Sequence, residues 1–169
     1  LHRHPIVAWS LRIAAVLCLC LGASYFAASA MFESKARKTI GVFIPEGQRM
    51  CMTLGDGTTV WLNSGTRLEY PVVFGSKERR VKVSGEALFD VKHDAAHPFI
   101  VETFACEVEV LGTKFNVKAK EKTRDFATAL LRGRLKVTNV RNPSERIMMH
   151  TDDMVCLKEG GLVLTKIDD

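Results

Sequence analysis

Before Glu33 this chain has no acidic residue, and from Ile13 to Phe32 it has no charged residue at all. Histidine is scarce, with five residues, and the two tryptophans and two tyrosines leave few rings beyond phenylalanine. No Lys/Arg block exceeds Arg79-Arg80, and residues 33–169 carry 22 Lys and Arg against 19 Asp and Glu. So even a balance argues against nucleic acid as a partner, whatever the whole-chain charge of +5 suggests. There is no GxGxxG or GxxxxGK[ST] run, so a phosphate cradle has no support.

Of the five cysteines, Cys18 and Cys20 lie in the apolar stretch, leaving Cys51, Cys106 and Cys156, an odd count without metal spacing. A disulfide framework is not expected, although one bridge among the three stays open. Cys106 shares parity with Phe104, Val108 and Val110 and reads as a small buried hydrophobe. His93 and His97 have a ligand-like spacing, but Pro98 follows directly, so a surface loop is expected and no metal or cofactor. Ser64 and Ser84 lack the flanking glycines of a nucleophile elbow, and Glu107 and Glu109 alternate with valines as on a solvated strand face. No enzyme is expected.

What is present divides the chain in two. The uncharged residues 13–32 are expected to form one transmembrane helix, since 20 helical residues span about 30 Å, the thickness of a hydrocarbon core. The competing reading is a cleaved secretory signal with Ala28-Ser29-Ala30 as its small-x-small site. Arg3 and Arg12 on one flank compete with Lys35, Arg37 and Lys38 on the other, so charge leaves the orientation open. Residues 1–12 are then a flank and 33–41 a polar linker.

From Val42 onward the apolar period is two: Val60 and Leu62, Val81 and Val83, Val108 and Val110, Phe115 and Val117, Leu135 and Val137. Turn signals recur about every ten residues, among them Asp56-Gly57, Gly85, Gly112, Gly133 and Gly160-Gly161. The expected fold is all-β, an antiparallel β-sandwich, barrel or short solenoid of about ten short strands. Residues 42–140 are its main domain and 141–169 further strands. Asp56-Gly57 favours a type I′ hairpin. The apolar parity is even before Gly112 and odd after Thr113, which predicts a β-bulge or tight bend there.

Four stretches, in this order, resemble the FecR family of membrane-spanning sigma-factor regulators. They are Leu54 to Thr66 (LGDGTTVWLNSGT), Val83 to Val91 (VSGEALFDV), Pro98 to Thr103 (PFIVET) and Val110 to Val117 (VLGTKFNV). The resemblance implies a cytoplasmic N-terminal side, an inner-membrane helix, and residues 33–169 in the periplasm. It implies an anti-sigma factor relaying a signal from a TonB-dependent outer-membrane transporter to an extracytoplasmic-function sigma factor. The sigma factor would bind a domain before Leu1, and many relatives continue past Asp169 into a small α+β domain; this sequence contains neither.

The transporter's signalling domain and membrane proteases are the other implied partners, with regulated proteolysis carrying the signal. Some relatives resemble self-cleaving proteins, which makes Gly112 and Thr113 the candidate site, by an N-to-O acyl shift that needs the Thr hydroxyl and a strained backbone. The GEALFDV stretch reads mainly as a packed strand, with an exposed partner-binding edge as the lesser possibility. The rival class is an exported β-sandwich binding module, for instance for carbohydrate. Only Trp61 and Tyr70 among tryptophans and tyrosines lie in the soluble part, so no platform of stacking rings is evident.

Overall fold

The computed structural model describes residues 5–36 and 38–167, and within its N-terminal helix the side chains of Trp9 and residues 12–28. That helix, α1, runs Pro5–Ala36, longer at both ends than 13–32, so that residues 33–36 of the expected linker are helical. Its apolar side chains, Ile13, Val16, Leu17, Leu21 and Phe26 among them, are exposed on every side. Among the described residues no helix is long and apolar enough to cross a membrane.

The remaining described residues form thirteen strands, more than the ten expected, in one continuous sheet that folds at β5 into the two layers of a sandwich. They are β1 (Thr39–Phe43), β2 (Met50–Thr53), β3 (Thr59–Leu62), β4 (Arg67–Pro71), β5 (Arg79–Asp90), β6 (Phe99–Glu102) and β7 (Cys106–Val110). Then follow β8 (Lys114–Lys120), β9 (Asp125–Arg132), β10 (Leu135–Asn139), β11 (Arg146–Met149), β12 (Asp153–Lys158) and β13 (Gly161–Lys166). Strands β11, β12 and β13, beyond residue 140, pair into the same two sheets.

One sheet has the order β1-β4-β5-β6-β7-β10-β11 and the other β2-β3-β5-β8-β9-β12-β13. Strand β5 belongs to both. Its residues 79–84 pair in the first sheet and 85–90 in the second. The change of sheet falls on Gly85, at φ +124, where a Cβ would lie 2.6 Å from the Thr66 Cα. Only glycine has both the conformation and the room. Folding β5 upon itself returns its end to its beginning, so the short 91–98 connection can lay β6 parallel to β5. That pair is the exception to the otherwise antiparallel pairing expected. After it, hairpins β6–β7, β8–β9, β10–β11 and β12–β13 go alternately to one sheet and the other.

The inward rows form one core, with Phe89, Phe99, Phe115, Phe126, Leu62, Leu68, Leu130 and Leu135 at its centre. Phe89 stacks on Phe115 with centroids 5.4 Å apart, joining residues 26 positions apart in sequence. At the 54–58 loop, Gly57 N–H donates to the Leu54 carbonyl, and Gly57 alone of the loop has positive φ, +86. The turn is thus type I closed by a left-handed glycine, not the type I′ that Asp56-Gly57 predicts. The GEALFDV stretch is central in its sheet, with β3 on one side and β8 on the other, so it offers no free edge. Cys51, Cys106 and Cys156 are all free thiols.

Candidate functional site

Gly112 and Thr113 lie on the segment that leaves β7 in one sheet and enters β8 in the other. The parity slip there is a crossing between sheets: a tight bend, with the register irregularity of the β8–β9 pair falling just beyond, between Lys114 and Phe115. Gly112 is not among the residues of positive φ. Space explains this glycine instead, since a Cβ would come 2.6 Å from the Cα and Nδ1 of His93.

Thr113 is buried and its hydroxyl donates to the Arg134 carbonyl at 2.8 Å. Gly133, at φ +104, packs against it closely enough that a Cβ would lie 2.9 Å from Oγ1. The carbonyls on either side are taken: Leu111 O accepts from Asp94 N–H at 2.8 Å and Thr113 O from Val91 N–H at 3.0 Å. Among the described residues no hydrogen bond ends on the Gly112 carbonyl. The amide between the two residues thus has a fixed neighbouring hydroxyl and an unengaged carbonyl. His93 and His97 lie in the 91–98 loop as expected. His97 Nδ1 pairs with Asp94 at 2.8 Å, and among the described residues no group of three or more His, Cys, Asp or Glu side chains could hold a metal ion. Through that bond, and two backbone amides, Asp94 has its pKa lowered.

Beneath this crossover lies a residue that periodicity misreads. Arg79 occupies an inward, apolar-parity position of β5, and its side chain is only 5% exposed. Its guanidinium donates to Asp56 Oδ2 at 2.8 Å, the Lys92 carbonyl at 2.9 Å and the His97 carbonyl at 2.9 Å, and lies 5.4 Å from the Phe99 ring centroid. A buried arginine is tolerable on these terms, paired with a carboxylate and surrounded by carbonyl acceptors. It ties the β2–β3 turn to both ends of the 91–98 loop.

A second constellation forms on the outer face of the second sheet. Asn63, Glu86 and Asn116 come from three of the four sequence stretches noted above, and pairing registers bring them together. Asn63 Nδ2 donates to Glu86 Oε2 at 3.2 Å, Asn116 Nδ2 to Glu86 Oε1 at 3.3 Å, and Arg49 Nε to Asn63 Oδ1 at 3.1 Å. Trp61 and Leu88 complete an open groove of about 540 Å3. Glu86 and Asn116 alternate with buried residues along β5 and β8. That they meet depends on register, which sequence spacing does not carry.

A double sheet built by alternating hairpins, with one strand shared between the sheets, defines a class of β-sandwich scaffold. Residues 42–136 match the FecR protein family, and the chain belongs to it. Two crystal structures of a candidate anti-sigma factor from Parabacteroides distasonis are similar. One is 32% identical with a TM-score of 0.73, over 78% of this chain and 61% of the other; the second is 33% identical at 0.72, over 76% and 60%. The chain thus spans about three fifths of the length of these solved relatives. No curated protein matches it.

Proposed function

We propose that this protein is a membrane-anchored regulator of the anti-sigma type, with α1 crossing the inner membrane and the sandwich in the periplasm. The observation that carries this reading is an apolar stretch of α1 whose side chains are exposed from Ile13 to Ala28, by itself shorter than a full span but continuing uncharged in sequence to Phe32, joined within a few residues to a FecR-family sandwich. A helix without a polar face, outside any protein core, is at home in lipid. Its partners in this reading are three. An extracytoplasmic-function sigma factor binds on the cytoplasmic side, the signalling domain of a TonB-dependent transporter binds on the periplasmic side, and membrane proteases transmit the signal by cutting between them.

Fractionation of cells expressing the native gene tests the reading. The protein is expected in the inner-membrane fraction, with its sandwich digested by protease added to spheroplasts. A soluble periplasmic product beginning near Met31 would instead establish the exported binding module.

Self-cleavage between Gly112 and Thr113 is a second reading, favoured by the free Gly112 carbonyl beside an oriented hydroxyl. Thr113 Oγ1 bonds to the Gly112 carbonyl carbon, the Gly112–Thr113 C–N bond breaks, and the hydroxyl proton passes to the released amine. Water then hydrolyses the ester, leaving the Gly112 carboxylate and restoring the hydroxyl. Purified protein is expected to give two fragments on a denaturing gel, and Thr113→Ala a single band. An intact native chain after prolonged incubation would remove this step.

A further inference from the structure

We propose that the outer-face groove is a binding site for a neutral, hydroxyl-rich ligand: a hexose unit of a saccharide. This goes beyond the anti-sigma reading and does not depend on it. One wall is the Trp61 indole, 38% exposed although it lies within a strand. The floor is Leu88, whose β5 position pairs with Trp61 on one side and Asn116 on the other. The opposite wall is the polar row Arg49, Asn63, Glu86 and Asn116, held in line by the three hydrogen bonds of 3.1 to 3.3 Å among them.

Hydrogen-bonding capacity is left over along this row. Among the described residues the terminal guanidinium nitrogens of Arg49, the Asn116 carbonyl oxygen and the Trp61 N–H have no partner, and each Glu86 oxygen accepts only one side-chain bond. Donors and acceptors therefore alternate over a few ångströms. Hydroxyl groups, which donate and accept at once, match such a row without leaving either kind unpaired. The apolar C–H face of a sugar ring meets the indole, as an amphipathic ligand meets an amphipathic side chain.

Charge selects against the alternatives. Arg49 and Glu86 lie on the same row, and the Lys114 ammonium is 5.5 Å from the Trp61 ring centroid. A cationic ligand is repelled by Arg49 and Lys114 and an anionic one by Glu86, so a ligand of either sign meets a like charge beside its counter-charge. A neutral ring incurs neither cost. The few aromatic rings in the soluble part argued against a glycan platform. One indole suffices for a single ring when the polar row is assembled beside it, which only the sheet pairing reveals.

The test uses the full chain in detergent, with Trp9→Phe so that Trp61 is the sole indole. Its fluorescence is followed while glucose, galactose, mannose and N-acetylglucosamine are added, then glucuronate and galacturonate, glucosamine and galactosamine. At least one neutral sugar is expected to shift the emission saturably at about 1 mM, and its acid or amine counterpart to bind about tenfold more weakly. Glu86→Gln and the more exposed Arg49→Gln should each weaken the neutral sugar about tenfold while leaving the melting temperature within a few degrees. No saturable response to any neutral sugar at 100 mM overturns the proposal. So does a response that both variants leave unchanged, or one as strong for the charged counterparts.

Discussion

A guanidinium inside a sandwich core is stable only while every acceptor around it stays in place. Replacing Arg79 by Met should therefore strand Asp56, whose side chain is 11% exposed, and release the Lys92 and His97 carbonyls. The expected loss is about 3–5 kcal/mol of unfolding free energy, read from urea midpoints, and Asp56→Asn in the same chain should recover part of it. Thiol reactivity gives a second measurement at this scale. Burial, with the charge of Glu145 adding to it, pushes the Cys106 thiol up to about 12, whereas Cys51 is exposed. A thiol reagent at pH 8 should label Cys51 in the native protein and reach Cys106 only on unfolding. The parity of Cys106 anticipates this. Nothing in the period-two pattern anticipates Arg79, because a pattern marks which side a residue faces and not whether the groups needed to neutralise it arrive from elsewhere.

Among the elements, β5 and the last hairpin bear the most. Gly85→Ala requires a Cβ 2.6 Å from Thr66 Cα at φ +124, where the Thr66 hydroxyl also binds the Glu86 amide and carbonyl. The expected cost is at least about 2 kcal/mol, seen as a lowered melting temperature. The β12–β13 hairpin is fastened by carboxylates. Asp153 accepts from Lys166 and the His150 amide, Glu145 from the Leu162 amide and Asn139, and these bonds lower both pKa values. A carboxylate with a lower pKa folded than unfolded contributes its full stability above the unfolded value, about 4, and loses it as pH falls through the folded one. Protection of the His150 and Leu162 amides, relative to their intrinsic exchange rates, should accordingly fall between about pH 5 and about pH 2 ahead of the central strands. Asp153→Asn should reduce that pH dependence at His150.

At the level of the whole molecule, the strands from Thr39 to Lys166 share one core, so the sandwich is expected to unfold as a single cooperative unit. A chain cut after residue 140 loses β11, β12 and β13, and with them Met149 and Val155 from the core and the pairing partner of β9. Residues 39–167 should unfold in one transition by circular dichroism, and residues 39–140 should give none, or precipitate.

The sequence by itself determined the class of fold, the placement of the apolar helix and the family. Strand periodicity, turn glycines and local motifs are properties of neighbouring residues, and neighbouring residues are what a sequence records. Only the tertiary structure decided that β5 serves two sheets, that the bend at Gly112-Thr113 carries the chain from one sheet to the other, that Arg79 is buried, and that Asn63, Glu86 and Asn116 meet beside Trp61. Each of these depends on which strands lie next to one another and in what register. Closure of the core sets that arrangement, through contacts between residues such as Phe89 and Phe115 that are far apart in the chain.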